Sequence, residues 1–270
     1  MKKQLQIKKD LISVIVPVYK QEKTIIKDLL RTERVLSELR YGFEMIVVVD
    51  GMQDKTFERA KKIKSKNIKV YGYETNKGKG YAVRYGMVRS RGNIIAFIDS
   101  GMDINPNGLS MLLEHFEWYN ADIIVGSKLH PASKVNYPTQ RKILSLGYRL
   151  LVKLLFGLAV KDTQVGMKFF RRKVLEDILP RLLVKNYAFD IEILVVAYRL
   201  KYKRIYEAPI ELEFKNSSTI TSANFWRTIL LMLNDTLAVF YRLKILRYYD
   251  DSNKRKWKYD PELNFRVNTG

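Results

Sequence analysis

Short apolar runs alternate with amphipathic segments throughout the first half of this chain, and no other feature constrains the fold as strongly. The runs are rich in β-branched residues, which favours strands, and the segments between them repeat apolar residues at helical spacing. The predicted strands cover residues 11–18, 43–49, 68–73, 94–98 and 122–126, and the predicted helices cover 24–39, 54–65, 80–90 and 107–118. This alternation predicts an α/β fold with a mostly parallel, doubly wound sheet.

Polar residues stand where the predicted strands end. Tyr19 follows the first strand, Asp50 ends the second, and Asn76 and Asp99 follow the third and the fourth. Ligands of doubly wound sheets bind beyond the carboxyl ends of the strands. We therefore expect these four neighbourhoods to share one edge of the sheet and to form a ligand site there.

The second half of the chain is less regular. Its predicted elements are a long amphipathic helix over residues 141–160, a turn and short strand over 161–171, a helix over 189–200, a strand over 204–213 and a second long helix over 224–249. Pro209 is compatible with the last strand only at the sheet edge. Residues 250–270 are polar, and we expect them to be loosely ordered. We divide the chain into a main domain, 1–222, and an appendage, 223–270, made of an amphipathic helix and a basic polar tail.

The chain is strongly basic. Its 270 residues include 49 Lys and Arg against 28 Asp and Glu, a net charge of +21. Such a surface favours polyanionic partners, which are nucleic acid, anionic lipid headgroups or phosphorylated substrates. We predict that nucleic acid is not a partner, because the basic residues are spread along the chain and no zinc, helix-turn-helix or RNP-type motif accompanies them. The absence of cysteine excludes disulfides, thiolate zinc sites and a cysteine nucleophile.

No stretch of the sequence resembles a signal peptide or a membrane-spanning helix. The most apolar segments, 143–160 and 225–246, are interrupted by charged residues. Apolar helix faces with Arg and Lys nearby are typical of interfacial helices, so we expect a cytoplasmic protein that rests peripherally on the cytoplasmic face of a membrane. The alternative is that both helices pack on the core or form a dimer interface. The oligomeric state stays open.

Asp99 and Asp103 come directly after a buried strand and are candidates to hold Mg²⁺ or Mn²⁺, which prefer oxygen ligands. An acidic turn that caps the next helix would look the same. Upstream, Lys77, Gly78 and Lys79 precede a predicted helix, and glycine, lysine and a helix N-terminus together favour phosphate binding. The spacing is not that of a Walker or Rossmann loop, so a flexible turn is the alternative.

Five segments, taken in order, resemble the family 2 glycosyltransferases. The segments are VIVPVYKQE at 14–22, VDGMQDKT at 49–56, NKGKGYAVRYG at 76–86, DSGMDINP at 99–106 and DTQVGMK at 162–168, the last followed by FDIE at 189–192. Within this family the chain is most similar to polyprenyl- or dolichyl-phosphate hexosyltransferases. The resemblance implies the GT-A fold, a Rossmann-like and mostly parallel sheet flanked by helices, here with a C-terminal amphipathic helix.

The resemblance assigns donor-binding roles. The donor would be a nucleotide-sugar, UDP-glucose or GDP-mannose. Asp50 would contact the nucleoside over a floor of Pro17, Tyr19 and Glu22, and the loop of Lys77, Gly78 and Lys79 would bind the diphosphate. Lys215 falls near an Arg that typically contacts this diphosphate. Asp99 and Asp103 would hold the Mg²⁺ or Mn²⁺ cofactor, although Gly101 replaces the second Asp of the family's motif.

The acceptor implied by the resemblance is a lipid phosphate. Lys128, Arg141 and Ser145 would bind it, the last two from one helix face, together with Gln164. Asp190 and Glu192 match an acidic pair near the family's sugar and acceptor site, and the alternative is an acid-rich helix N-terminus.

A lipid phosphate needs no general base, because its second pKa is about 6 and it is largely dianionic at neutral pH. We therefore expect a direct attack of a phosphate oxygen on the anomeric carbon, with inversion. A saccharide hydroxyl is the alternative acceptor, for which Asp190 or Glu192 would serve as base. A catalytically silent protein of the same fold is a further alternative, since Gly101 weakens the metal motif.

Overall fold

The structure is a computed structural model. It describes residues 11–101, 104–135, 139–186, 188–212, 222–250, 257–263 and 265–268.

A seven-stranded sheet forms the centre of the molecule, in the order β3-β2-β1-β4-β6-β5-β7. Its strands are β1 (Leu11–Val18), β2 (Gly42–Asp50), β3 (Ile68–Tyr73), β4 (Ile94–Ile98), β5 (Ile123–Ser127), β6 (Met167–Arg171) and β7 (Ile205–Pro209). β1 is parallel to both β2 and β4, β2 to β3, and β5 to β7, whereas β6 is antiparallel to both of its neighbours. The predicted mostly parallel sheet is confirmed, with Pro209 on the edge strand as expected.

The chain reverses its direction of travel across the sheet between β1 and β4. From β1 it moves outward through β2 to β3 and then returns to place β4 on the other side of β1. A reversal of this kind opens a crevice at the carboxyl ends of the two strands on either side of it. Tyr19 and Asp99 follow those two strand ends.

Helices cover both faces of the sheet. They are α1 (Ile25–Ser37), α2 (Thr56–Lys61), α3 (Lys79–Val88), α4 (Gly108–Trp118), α5 (Thr139–Phe156), α6 (Arg172–Ile178), α7 (Phe189–Arg199) and α8 (Ser222–Phe240), with a 3₁₀ turn at Leu179–Arg181 and a π-helical turn at Tyr241–Ile245. Side chains alternate along β1, so Val14 and Val16 pack beneath α1 and α4, while Ile15 packs beneath α3 and α7. The core is therefore two apolar layers divided by the sheet.

The C-terminal segment is more ordered than its polar composition predicts. β8 (Trp257–Asp260) and β9 (Phe265–Asn268) form an antiparallel pair, and Leu263 between them is 1% exposed. The neighbouring Glu262 accepts hydrogen bonds from Lys77 and Tyr81, and its carbonyl accepts one from Arg89. The expectation of a loosely ordered tail is wrong here, because these contacts hold the segment against α3.

No helix in the described part of the chain is both long enough and apolar enough to cross a membrane.

Candidate active site

A cleft of about 590 Å³ opens at the carboxyl ends of the parallel strands. Its lining comes from the ends of β1, β2 and β4, the loop before α3, the segment before β6, and the start of α7 with the residues before it. The lining residues are Pro17, Val18, Tyr19, Asp50, Asn76, Gly78, Lys79, Asp99, Ser100, Gln164, Asn186 and Asp190. Nine of the residues predicted from the sequence are thus brought together in one cleft.

Asp50 organises the loop that precedes α3. Its carboxylate accepts hydrogen bonds from the backbone N–H groups of Lys77 at 2.7 Å and Gly78 at 3.0 Å, and from the Tyr73 hydroxyl at 2.9 Å. The side-chain amide of Asn76 donates to the Asp50 carbonyl at 3.2 Å. The end of β2 therefore fixes the loop in one conformation at the mouth of the cleft.

Gly78 has a backbone conformation and a packing environment that exclude other residues. Its φ is +94°, and a Cβ at this position would lie 2.2 Å from Asn186 Oδ1 and 2.5 Å from the Lys185 carbonyl oxygen. Two residues later, the Gly80 N–H donates to the same carbonyl at 2.7 Å. The N-terminus of α3 is consequently held against the segment before α7, with Lys79 between them.

Asp99 enters the cleft from the end of β4. Its backbone N–H donates to the Gly166 carbonyl at 2.7 Å, and a Cβ on Gly166 would lie 1.9 Å from the Asp99 carboxylate. Lys79 Nζ lies 2.9 Å from this carboxylate and donates a hydrogen bond to Oδ2. Nζ lies equally close to the second oxygen, Oδ1, at 2.9 Å, but Oδ1 accepts no hydrogen bond and is shielded from solvent.

Lys79 also links Asp99 to a buried ion pair. Its Nζ donates to Asp190 Oδ2 at 3.0 Å, and the other oxygen of Asp190 accepts a hydrogen bond from the fully buried Lys168. Burial disfavours charge on Asp190, but the ammonium groups of Lys168 and Lys79 outweigh it and lower the pKa of Asp190. Burial likewise opposes the charge on Lys79, yet Asp190 and Asp99 raise its pKa. Lys79 and Asp190 are therefore both charged at neutral pH.

A second cavity of about 380 Å³ lies where α5 approaches the end of β5. Its lining residues are Lys128, Leu129, Ser133, Val135, Ser145, Leu146 and Arg149. Lys128 Nζ lies 3.6 Å from Asp162 Oδ1. Gln164, which lines the main cleft, donates to the hydroxyl of Tyr148 on α5 at 3.4 Å. Two predicted acceptor residues, Lys128 and Ser145, are thus together, and Gln164 reaches the same helix from the other cleft.

A sequence comparison identifies the family at this point. The family model described as "Glycosyl transferase family 2" matches residues 13–179, which include most of β1, all of β2 to β6 and most of the cleft lining. The chain belongs to glycosyltransferase family 2.

Several relatives of this chain are described as dolichyl-phosphate beta-glucosyltransferases. A dolichyl-phosphate beta-glucosyltransferase of Trichomonas vaginalis is 31% identical over 252 residues, which cover 87% of this chain and 75% of that protein. One from Homo sapiens is 31% identical over 257 residues, covering 87% and 76%. For one from Dictyostelium discoideum, 30% identical over 204 residues, the match covers 70% of this chain and 62% of the relative.

Solved structures share the fold. Glucosyl-3-phosphoglycerate synthase from Mycobacterium tuberculosis, crystallised with Mn²⁺, uridine-diphosphate and phosphoglyceric acid, superposes with a TM-score of 0.62 at 19% identity. The superposition covers 96% of this chain and 86% of that one. The GT-A fold predicted from the sequence is therefore confirmed.

A divalent cation fits the surroundings of Asp99 in this glycosyltransferase fold. Asp99 Oδ1 accepts no hydrogen bond, and it is a hard oxygen ligand of the kind that Mg²⁺ and Mn²⁺ take, although the Lys79 ammonium lies 2.9 Å from it. Within the described ranges, no three His, Cys, Asp or Glu side chains cluster as a metal site, and Asp103 lies outside those ranges. Mg²⁺ commonly retains water and binds phosphate oxygens, so one carboxylate is a sufficient protein anchor.

Glu192 does not reach the cleft. It is 0% exposed, and its carboxylate accepts hydrogen bonds from the backbone N–H groups of Leu183 and Val184, the Tyr249 hydroxyl and Arg242. Burial raises the pKa of Glu192, and these donors offset it only in part. Its predicted catalytic role needs correction, because both oxygens are already occupied in connecting α7 to the segment after α8.

Other predicted site residues point elsewhere or lie outside the described residues. Glu22 accepts a hydrogen bond from the Lys55 N–H at 3.2 Å, and Lys77 pairs with Glu262 beside Tyr81. Neither lines the cleft. Asp103, Lys215 and the side chain of Arg141 fall outside the part of the chain that the structure describes.

Three residues at the cleft were missed as candidates in the sequence. Ser100 and Asn186 line the cleft, and Lys168 lies directly beneath Asp190. Ser100 and Lys168 lie within the segments that carry the family resemblance, which was the available signal. Asn186 follows no motif and enters the cleft only through its contact with Gly78, so nothing in the sequence marked it.

Proposed function

We propose that this chain transfers a hexose from a nucleotide-sugar to a polyprenyl or dolichyl phosphate, with inversion at the anomeric carbon. The observation that carries the proposal is the cleft in which Asp50, Lys79, Asp99 and Asp190 meet. Their motifs match a family whose similar members are described as dolichyl-phosphate beta-glucosyltransferases. Those descriptions favour UDP-glucose over GDP-mannose as the donor.

The donor would lie along the carboxyl ends of β1, β2 and β4. Pro17, Tyr19 and Asp50 line the part of the cleft that would receive the nucleoside. The ammonium of Lys79 and the N-terminus of α3 would face the diphosphate, because both attract anions. Asp99 would hold Mg²⁺ or Mn²⁺. When bound, the metal would neutralise the charge that develops on the departing nucleoside diphosphate.

The nucleophile is a phosphate oxygen in this proposal. Asp190 is a poor general base, since two lysines hold its carboxylate and lower its pKa, and Glu192 is enclosed away from the cleft. A dianionic phosphate needs no base. Lys128, Ser145 and Arg149 line a cavity of suitable charge for such an acceptor, and the Gln164–Tyr148 contact joins it to the donor cleft.

Contact with a membrane surface is part of the proposal, because a lipid-linked acceptor lies in a bilayer. α5 exposes Leu146, Leu150 and Leu154, the last at 83%. α8 and the turn after it expose Leu230, Leu231, Leu237, Tyr241 and Ile245. We call these eight side chains the apolar face. Apolar residues of this kind on a basic protein suit an interfacial position at the cytoplasmic side.

The proposal is tested by a transfer assay with radiolabelled UDP-glucose or GDP-mannose and a polyprenyl phosphate in detergent, with Mg²⁺, Mn²⁺ or EDTA. Label should enter the lipid phase with one donor only and should require the metal. Asp99→Asn should lower kcat by about a hundredfold or more, as expected when a group that stabilises transition-state charge is removed. Asp177→Asn, on α6 outside the cleft, is the matched control and should retain activity.

Two results would overturn the proposal. Transfer to saccharide hydroxyls but not to lipid phosphates would assign a different acceptor. Binding of either nucleotide-sugar without turnover on any acceptor would identify a catalytically silent member of the family.

A further inference from the structure

Lys79 forms an ion pair with the Asp99 carboxylate, which is the group that a metal ion would bind. Its Nζ lies 2.9 Å from Asp99 and 3.0 Å from Asp190, so a single ammonium bridges the two acids across the cleft. Among the described residues of the cleft, the only other ammonium in this network is that of Lys168, which contacts Asp190 and the Val165 carbonyl. Asp99 therefore depends on Lys79 for charge compensation.

The backbone around Lys79 prevents this ammonium from moving far. Lys79 is the first residue of α3, and the two preceding N–H groups are bound to Asp50. The Gly80 N–H is bound to the Lys185 carbonyl. The Lys79 side chain can change its rotamer, but the Lys79 backbone is held in place.

The Asp99 carboxylate has little freedom to reorient. The Gly166 backbone crowds one side of its carboxylate so closely that a Cβ would lie 1.9 Å from Oδ2. A metal ion bound at about 2.1 Å from a carboxylate oxygen would come within a few ångströms of the ammonium. Like charges at that separation repel, because the Lys79 and Asp99 side chains are only partly exposed to water. The metal ion and Lys79 consequently compete for Asp99.

We propose that Lys79 is a resident cation that holds Asp99 until the donor diphosphate arrives, and that it then turns to the diphosphate and releases Asp99 to the metal. The inference deepens the proposed function and rests on it for the identity of the donor. Its consequence is cooperative binding. Metal alone binds weakly because it must displace Lys79, and diphosphate promotes metal binding by giving Lys79 another anion.

The charge balance of the cleft supports this exchange. Asp190 keeps its pairing with the fully buried Lys168 when Lys79 leaves, so no buried carboxylate is left without a counter-charge. The divalent metal and the diphosphate of a nucleotide-sugar bring charges of equal size and opposite sign. The cleft therefore has the same net charge before and after both have bound.

The test measures Mn²⁺ binding by electron paramagnetic resonance, with and without UDP, and needs no acceptor or turnover. In the wild type, UDP should raise Mn²⁺ affinity by about tenfold or more. Lys79→Gln should bind Mn²⁺ alone about fivefold or more tightly than the wild type, and UDP should then add less. Lys79→Arg, which keeps the charge, should bind Mn²⁺ alone as weakly as the wild type.

Lys77→Gln is the matched control, because it removes the same charge from the same loop while Lys77 contacts Glu262 instead of Asp99. It should leave Mn²⁺ affinity in the absence of UDP unchanged. Equal Mn²⁺ affinities for the wild type and Lys79→Gln, or no effect of UDP on the wild type, would overturn the inference. If Lys79→Gln fails to fold, Lys79→Met takes its place, because it removes the same charge and should likewise bind Mn²⁺ alone more tightly than the wild type. Failure of sugar transfer with intact Mn²⁺–UDP cooperativity would reject only the proposed function.

Discussion

At the scale of single residues, the active-site geometry depends on close approaches that leave no space for a side chain. Gly166 lies against the Asp99 carboxylate, and Gly78 lies against Asn186 and Lys185. A glycine at each of these positions lets two backbone segments approach, and the side chains that line the cleft are oriented in the remaining space. The glycines of motifs at 76–86 and 162–168 thus have steric roles that can be tested one at a time.

Gly166→Ala should impair the site by rotating Asp99. Its Cβ would lie 1.9 Å from Oδ2 and 2.7 Å from the Asp99 Cβ, so the whole side chain must move. We expect a cost of about 1–3 kcal/mol in the free energy of unfolding, as for other overpacked sites. Transfer activity should fall by about a hundredfold, since a displacement of about 1 Å at a reacting centre has that effect. Urea denaturation and the transfer assay measure the two quantities.

Gly147→Ala is the control for that variant. Gly147 lies on α5 with nothing within 4 Å of its added Cβ, and alanine stabilises a helix by about 1 kcal/mol relative to glycine. Activity should persist and stability should rise slightly. An active Gly166→Ala protein would contradict the steric role of Gly166.

At the scale of secondary structure elements, β2 carries a hydrogen-bonded carboxylate near each of its two ends. At its carboxyl end, Asp50 organises the loop that precedes α3. Near its beginning, the buried Glu44 accepts hydrogen bonds from the Ser13 hydroxyl at 2.7 Å, the Arg91 N–H at 2.7 Å and Arg91 Nε at 3.0 Å. One carboxylate thereby ties β1, β2 and the turn before β4 together.

Glu44→Gln should destabilise the protein in a pH-dependent way. Burial disfavours ionised Glu44, but the hydrogen bonds from Ser13 and Arg91 outweigh it and lower its pKa below the ordinary 4.5. The stabilisation from the ionised carboxylate is therefore present above pH 4.5 and is lost as the pH falls through the lower, folded-state pKa. At pH 7 we expect a loss of about 1.5–3 kcal/mol in the free energy of unfolding.

Denaturant unfolding at several pH values from neutral to acidic measures this effect. The stability difference between the wild type and Glu44→Gln should narrow as the pH falls below 4.5. The exposed Glu58→Gln, on α2, provides the control and should show no such narrowing. A stability difference between the wild type and Glu44→Gln that stays constant across the pH range would show that Glu44 acts through packing alone.

At the scale of the whole molecule, α8 and the segment after it complete one layer of the core and also leave part of the surface apolar. Val239, Leu243 and Tyr249 are buried beside α7. The apolar face of α5 and α8 stays exposed, on a chain whose net charge is +21. Attraction to anionic lipids and partial insertion of this face would act together at a bilayer surface.

Leu154→Gln combined with Leu230→Gln should weaken binding to vesicles of anionic phospholipid by about tenfold or more, because each leucine buried in an apolar phase contributes about 1.5–3 kcal/mol. The two side chains are 83% and 66% exposed, so the fold should be unaffected. Vesicle co-sedimentation measures the binding. Trp118→Gln, which alters an 86% exposed side chain on α4, should bind as the wild type does. An equal loss of vesicle binding in the double leucine variant and in Trp118→Gln would reject the apolar face as the contact surface.

The sequence alone determined the elements of the first half, the edge position of the strand with Pro209 and the gathering of Tyr19, Asp50, Asn76 and Asp99 at one end of the sheet. Each of these follows from local periodicity or from the geometry of parallel strands. The motifs also indicated Lys79 and Asp190, because each stands in a segment that resembles the family.

Only the tertiary structure decided the antiparallel direction of β6, the enclosure of Glu192, the entry of Asn186 into the cleft and the ordered hairpin after residue 256. Asp190 and Glu192 are two residues apart on α7, yet one lines the cleft and the other is enclosed behind it. The physical reason is that a carboxylate's role depends on the donors around it. Lys79 and Lys168 surround Asp190, while Tyr249 and Arg242 surround Glu192. These partners are distant in sequence, and only the packing of the chain brings them together.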